Sequence, residues 1–503
     1  MIDSSKSTIK ESDSLSGRSL SDIQLTHSQQ IVLDQLSDFI TDLHSRVFIL
    51  KGYAGTGKTT LMRFLIQILK KKQKGFTLLA PTGRAAKVLS DTTGEEAKTI
   101  HSMIYTFSSL NKDLSDTDEK ELKADSTGQL FLNFEPVCLD TESVTPAIYV
   151  IDEASMVSDL EETLITQAKF GSGRLLSELL KYDTRSQSKF IFVGDPCQLP
   201  PVKDTSSPAL MPEYFQQQFH LMAKEASLTQ IMRQKGDNDL IRASLQIRKI
   251  CALAPENEQS YHFKTWKSFP LRNCRNTQLH SDWDEMIRSY YETIKRKGFT
   301  DAIFISASNK KCYEISMKVR SMLGLTNGVI QEGDLLMVVQ NNQPTGLING
   351  DMVEVVHIDE HILCRADLEF RSVKVREILT GEERTSLLLV STISNNTPNL
   401  DSLQQTRLFI DFAIRMRADG ITQKKDSIKF YMAMQSDPYL NALRCSYGYA
   451  VTCHKAQGGE WNNVYVDFGM MACNPTKEKC QWVYTAITRA KETLHVLNKP
   501  YIQ

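Results

Sequence analysis

The feature that most narrows the fold is the string Gly52-Tyr53-Ala54-Gly55-Thr56-Gly57-Lys58-Thr59, set between two kinds of hydrophobic pattern. Before it, Val47 to Leu50 is a short apolar run of the kind that makes a buried strand. After it, Leu61, Phe64, Leu65 and Leu69 recur at helical spacing. Strand, glycine-rich turn and helix in that order match GxxxxGK[ST], a loop whose backbone N–H groups wrap phosphates. Gly52, Gly55 and Gly57 let the backbone approach closely, and the start of the helix adds partial positive charge. In that setting Lys58 reaches the β- and γ-phosphates, Thr59 holds Mg²⁺, and Thr60 completes the nucleotide-binding run.

The alternation continues along the chain. Apolar runs recur at Thr77–Ala80, Ile148–Ile151 and Phe190–Val193, and again at Ile303–Ser306 and Val464–Val466, each near a helical stretch. Such alternation predicts doubly wound α/β units with parallel sheets. A further helix is predicted over Thr26–Leu43, from Ile31, Leu33, Leu36, Phe39, Ile40 and Leu43. Two regions depart from the rhythm. Residues 105–146 are polar and acidic before the run QLFLNF, and read as a small insertion. Residues 331–440 hold several β-rich runs and read as a small β-barrel followed by an arm.

Two strand ends carry chemistry. Asp152-Glu153 follows AIYVI, where a carboxylate facing a phosphate loop binds Mg²⁺. Asp152 is the metal ligand and Glu153 the group that orients and deprotonates the attacking water. The plain alternative is an acidic helix start. Gln198 lies in GDPCQLPPV after KFIFV. Its amide both donates and accepts, so it can sense a γ-phosphate; a Pro-rich turn is the alternative.

Composition excludes little. At 503 residues the chain holds about three or four domains. A formal net charge of −1 does not announce a polyanion partner, but a local cleft can still carry a positive field. The ten cysteines form no CxxC pair, which argues for free thiols in a reducing, cytoplasmic setting rather than a zinc site. No apolar stretch has the length of a membrane helix. The segment before Ile23 lacks a signal-peptide core and reads as a disordered tail.

The strings GYAGTGKT, LAPTGRAAKVL, TIHSMIY, DEASMV, GDPCQLPPV, LTQIMRQ, GYAVTCHKAQGGEW and VYTAITRAK, in this order, resemble superfamily-one helicases of group B, the RecD and Dda relatives. The resemblance runs from about residue 25 to about residue 497. It implies two RecA-like motor domains, at 23–104 with 147–227 and at 228–330 with 441–503. The insertion at 105–146 takes the place of a strand-splitting pin, and 331–440 that of a Src-homology-like barrel with an arm. It also implies an ATP- and Mg²⁺-dependent motor that moves 5′→3′ on single-stranded DNA. Protein partners in a repair, recombination or defence complex are compatible with it.

Residue roles follow from the same resemblance. Arg233 and Arg489 are arginine fingers on the γ-phosphate. Gln29 reads the adenine edge and Glu460 touches the ribose. Thr82, Thr99 and His101 contact the strand in the first motor unit; Thr452 and His454 do so in the second. Gln457 couples strand and nucleotide sites. Phe131 or Phe134 is the wedge, with core packing as the alternative. Rival readings are a DNA-binding ATPase switch without unwinding, a motor subunit of a nuclease complex, and an RNA motor. Glu121 and Lys123, with Asp116 and Asp118, have a local nuclease-like form in a charged stretch where a solvated surface is the simpler account.

Overall fold

The computed structural model describes residues 23–115, 130–139, 147–162, 168–231, 239–253, 269–326, 329–394, 397, 399–469 and 476–502. Arg233, the 1–22 segment and the nuclease-like string lie outside them.

The first sheet has six parallel strands. Their order is Ala97–Thr99, Phe76–Ala80, Ile148–Ile151, Lys189–Gly194, Val47–Gly52 and Ala223–Leu228. Helices cover both faces, so the central strands are apolar throughout: Val47, Phe48, Ile49 and Leu50 are all buried. The first helix spans His27–Thr41 and begins at a capping box in which Thr26 and Gln29 exchange hydrogen bonds. Its buried face is Gln29, Val32, Leu33, Leu36, Phe39 and Ile40. Ile31 and Leu43, among the apolar residues from which the helix was predicted, are 45% and 78% exposed. At 3.6 residues per turn Ile31 falls on the opposite side, and Leu43 lies beyond the last turn.

The second sheet is also parallel, with five strands in the order Thr277–His280, Ala490–Leu497, Trp461–Val466, Ala302–Ser306 and Ala450–Thr452. The two sheets are the two RecA-like motor units expected from the sequence.

Both insertions borrow a strand from beyond their expected limits. Tyr105–Leu110 pairs antiparallel with Leu132–Pro136, which also takes Ala168–Phe170 in parallel. In the second insertion, Leu335–Val338 pairs with Met352–Ile358, which pairs with Leu368–Glu377, which pairs with Glu383–Leu389. Cys445–Tyr447, assigned by sequence to the second motor unit, pairs with Leu335–Val338 instead. The Leu443 N–H donates to the Leu387 carbonyl at 2.7 Å, and its carbonyl accepts from Leu389 N–H at 3.0 Å. Hydrogen bonding therefore runs in a ring. A strand this short carries no periodic signal of its own, which is why its membership was not legible.

The first insertion rests on the arm of the second. Leu110, Leu114 and Leu130 pack with Phe409, Phe412 and Phe430 of the helices Ser402–Ala418 and Ser427–Ser436. The N–H groups of Leu130 and Leu114 donate to Thr406 Oγ1 at 3.1 Å and Gln423 Oε1 at 3.0 Å. Phe412 is fully buried in this cluster. Phe412→Ala is expected to destabilise the protein by about 3–5 kcal/mol. Denaturant unfolding measures this; a loss below about 1 kcal/mol would show that the hairpin and arm are not packed as described.

Candidate nucleotide and strand site

Strand order decides which loops meet. Ile148–Ile151, Lys189–Gly194 and Val47–Gly52 are consecutive neighbours and run the same way. Their carboxyl ends therefore deliver Asp152-Glu153, Asp195 to Leu199, and the 53–57 loop side by side.

The loop is shaped by its glycines. Gly55 and Gly57 have φ of 75° and 81°, in the left-handed region. A Cβ on Gly52 would lie 2.5 Å from Lys58 Cγ. Lys58 Nζ donates to the Gly52 carbonyl at 2.7 Å and the Tyr53 carbonyl at 3.3 Å. Thr59 is exposed beside it and Thr60 is half-buried. Gln29 Nε2 donates to the Thr56 carbonyl at 3.2 Å while its Oε1 accepts from Thr26 N–H at 3.1 Å. Its amide thus ties the first helix to the loop, a use the sequence did not suggest.

Asp152 and Glu153 sit deep in the cleft. Burial pushes both carboxyls above their ordinary range, while the charge of Lys58 opposes this. Glu153 reaches about 7, raised by burial and then by Asp152, and lowered by Arg489 and Lys58. Its Oε2 is buried without a hydrogen-bond partner among the described residues, and its backbone is left-handed at φ 49°.

The opposite wall comes from the second sheet. The helix Lys477–Ile487 aims Gln481, Tyr484, Thr485 and Thr488 one way, at i, i+3, i+4 and i+7. Tyr484 Oη accepts from Ala54 N–H at 3.1 Å and donates to Asp195 Oδ2 at 2.8 Å. Thr485 Oγ1 accepts from Leu199 N–H at 3.0 Å. Arg489, one turn beyond Thr485, is 4% exposed; its guanidinium donates to the carbonyls of Thr485 at 3.1 Å and Gly459 at 3.2 Å. Gln457 Nε2 donates to the Leu199 carbonyl at 3.3 Å. The amide oxygens of Gln457 and Gln198 are both buried with no donor among the described residues. Tyr484 and Thr485 were missed in the sequence. Their signal was two hydroxyls within the apolar run WVYTAI.

In the first sheet the expected strand contacts follow the two strands at the far end of the order from Val47–Gly52, and in the second Thr452 ends the edge strand Ala450–Thr452. Thr82 and Thr99 follow adjacent strands and cap the helices Gly83–Thr93 and Ile100–Ile104. The His101 ring packs 5.1 Å from Phe170, and burial lowers its pKa against the charge of Glu178. Thr452 caps nothing with its side chain; it lines a cavity with Asn309, Tyr313, Thr392 and Lys455. His454 is likewise lowered by burial. Glu460 is exposed at the end of the same loop. Arg84, on the first unit's helix, lies over Trp461 of the second at 4.7 Å. Phe134 is half-buried and stacks on Phe170 at 4.7 Å, so its ring belongs to an aromatic cluster; Phe131 is half-buried just before that strand.

Comparison with known proteins places this arrangement. Residues 24–254 match the AAA domain family, and residues 447–497 match the UvrD-like helicase C-terminal domain. The two matches hold the two walls of the cleft. These matches and the relatives that follow make the chain similar to the RecD-like superfamily-one helicases. Its relatives include an uncharacterised protein of Acanthamoeba polyphaga mimivirus, 25% identical over 93% of this chain and 98% of that protein. The ATP-dependent RecD2 DNA helicase of Deinococcus radiodurans is 24% identical over 93% of this chain, and the match spans 48% of that longer protein. The dda helicase of phage T4 is 41% identical, over 16% of this chain and 18% of its own. Among solved structures, a Bacteroides Pif1 helicase aligns with 96% of this chain and 95% of its own at 16% identity, with a TM-score of 0.48. No helix among the described residues is long and apolar enough to cross a membrane.

The Glu153 carboxyl makes stability depend on pH. Its folded pKa lies above the ordinary glutamate value of 4.5, so its contribution is fully present below that value and is lost as pH rises through about 7. Glu153→Gln cannot ionise. Without nucleotide or metal, its melting temperature relative to the unsubstituted protein is expected to be higher at pH 8 than at pH 5. An advantage that does not grow with pH would mean that Glu153 is solvated.

Proposed function

We propose that the chain is an ATP-driven motor that moves 5′→3′ along single-stranded DNA and separates duplex ahead of it. One observation carries this: Tyr484 and Thr485 of the second unit hydrogen-bond to the loops that carry Lys58 and Gln198 in the first, and the charge of Arg489 acts on Glu153. ATP bound there lies between the two units, so its presence bears on whether they close.

The residues suit a magnesium nucleotide. Among the described residues the buried amide oxygens of Gln198, Gln457 and Gln481 and the Glu153 Oε2 have no donor, and Lys58 Nζ donates to the Gly52 and Tyr53 carbonyls. Thr59 and Asp152 would hold Mg²⁺, which offsets charge on the phosphate oxygens. Lys58 exchanges the Gly52 and Tyr53 carbonyls for phosphate. Glu153, once ionised, takes the proton of the attacking water. Arg489, and Arg233 by resemblance, stabilise charge developing on the transferred group. Gln198 and Gln457 each present a free acceptor at the joint and report on its occupancy.

Thr82, Thr99 and His101 on one unit, and Thr452 and His454 on the other, would grip the strand in alternation as the cleft opens and closes. Contacts to phosphates and stacked bases imply weak sequence preference and an affinity that falls with salt.

The test is ATP-dependent unwinding of two partial duplexes, one with a 5′ single-stranded tail and one with a 3′ tail. Unwinding from the 5′ tail alone, abolished in Lys58→Ala, is the expected result. Unwinding from the 3′ tail alone would overturn the direction. DNA-stimulated ATP hydrolysis with neither duplex opened would overturn the helicase reading in favour of a switch.

A further inference from the structure

Between the first motor sheet and the second runs a helix, Asp239–Leu253, in a stretch that carries no sequence motif. It packs against Lys477–Ile487 and presents two residues, seven apart and therefore on one face, to the phosphate loop. Ile241 is one: a Cβ added at Gly55 would meet its Cδ1 at 3.7 Å. Arg248 is the other. Its guanidinium lies 3.4 Å from the centre of the Tyr53 ring. Among the described residues Arg248 has neither a hydrogen bond nor an ion pair, so the ring is its one direct partner.

Tyr53 is an unusual place for that contact, because its carbonyl is already in use. It accepts from Lys58 Nζ at 3.3 Å, from Thr56 Oγ1 at 2.7 Å and from Thr56 N–H at 3.2 Å. The next residue, Ala54, gives its N–H to Tyr484. Whatever sets the Tyr53 ring therefore also sets the carbonyl that holds Lys58 in the nucleotide-free site. A bulky aromatic side chain in a loop that must fit closely round phosphates calls for a partner outside the loop, and Arg248 supplies one from the other motor unit.

We propose that Arg248 is a positioning residue for ATP hydrolysis, which by stacking on Tyr53 joins the second motor unit to the phosphate loop and sets the loop's shape when the cleft closes. Arg248 touches no reacting atom; it acts through Tyr53. Nucleotide affinity rests mainly on the first unit's own loop, whereas turnover needs the second unit in register with it. Losing the stack therefore lowers kcat more than it weakens nucleotide binding. The inference rests on the motor reading above.

The experiment measures kcat and KM for ATP at saturating single-stranded DNA, together with ADP affinity, for Arg248→Ala, Arg248→Lys, Tyr53→Ala, Tyr53→Phe and the double alanine variant. The expected result is a loss in kcat of about tenfold for either alanine variant, the scale of a half-buried cation–π contact, with ADP affinity within about twofold. The double variant should be no worse than the singles, because both remove one contact. Tyr53→Phe, which keeps the ring, should recover most of what Tyr53→Ala loses, and Arg248→Lys should fall between. Additive losses, equal damage from Tyr53→Phe and Tyr53→Ala, or a parallel loss of ADP affinity would overturn the proposal. If the unsubstituted protein hydrolyses no ATP with DNA present, the motor reading fails first and takes this inference with it. If it does hydrolyse ATP and the variants match it, only this inference falls.

Discussion

The Tyr484 hydroxyl accepts from a phosphate-loop N–H at 3.1 Å and donates to Asp195 at 2.8 Å, and the joint between the two motor units is built around it. The group is buried and its pKa is raised well above the ordinary tyrosine value, by burial and by Asp195, so it stays protonated and keeps its donor. A buried hydroxyl left without partners costs about 1–3 kcal/mol. Both of its partners lie in the other unit. Separating the sheets therefore strands the hydroxyl unless water takes their place, which ties the energetics of opening to the nucleotide loops.

The rest of the cleft is less complete. The Gln198 and Gln457 amide oxygens and Glu153 Oε2 are buried with no donor among the described residues. Native proteins seldom leave such atoms unpaired, and those that persist gather where a ligand completes them. Glu153 adds a left-handed backbone, and its carboxyl is held near the neutral form by burial. A protein folding only for stability would not assemble these features beside Lys58. Together they describe a site poised to accept positive charge at the carboxylates and an oxyanion at the lysine.

Much of the architecture was legible because it repeats. Alternating apolar runs located the central strands of both sheets but not Ala97–Thr99, Ala223–Leu228, Thr277–His280, Ala450–Thr452 or Ala490–Leu497, while the phosphate loop and Asp152-Glu153 were visible as strings because their chemistry needs contiguous residues. Residues that act from a distance left less trace. Tyr484 looked like one more apolar position in WVYTAI, and Arg248 like an ordinary helix arginine. Ile31 helped to locate the first helix but faces solvent, because apolar character alone does not say which side of a helix faces the sheet. Cys445–Tyr447 and Ala168–Phe170 were misplaced because three-residue strands have no period to detect.

By itself, the sequence determined the kind of machine: the elements, the phosphate loop, the carboxylates at a strand end, and a second α/β unit ending in an arginine. These depend on neighbours along the chain, through backbone geometry and hydrophobic period. Tertiary structure decided how the units speak to one another. Ala54 with Tyr484, Tyr53 with Arg248, Leu199 with Thr485 and Gln457, and Leu130 with Thr406 join segments far apart in sequence. Such contacts follow from strand order and helix rotation, which place loops side by side only once both sheets have formed.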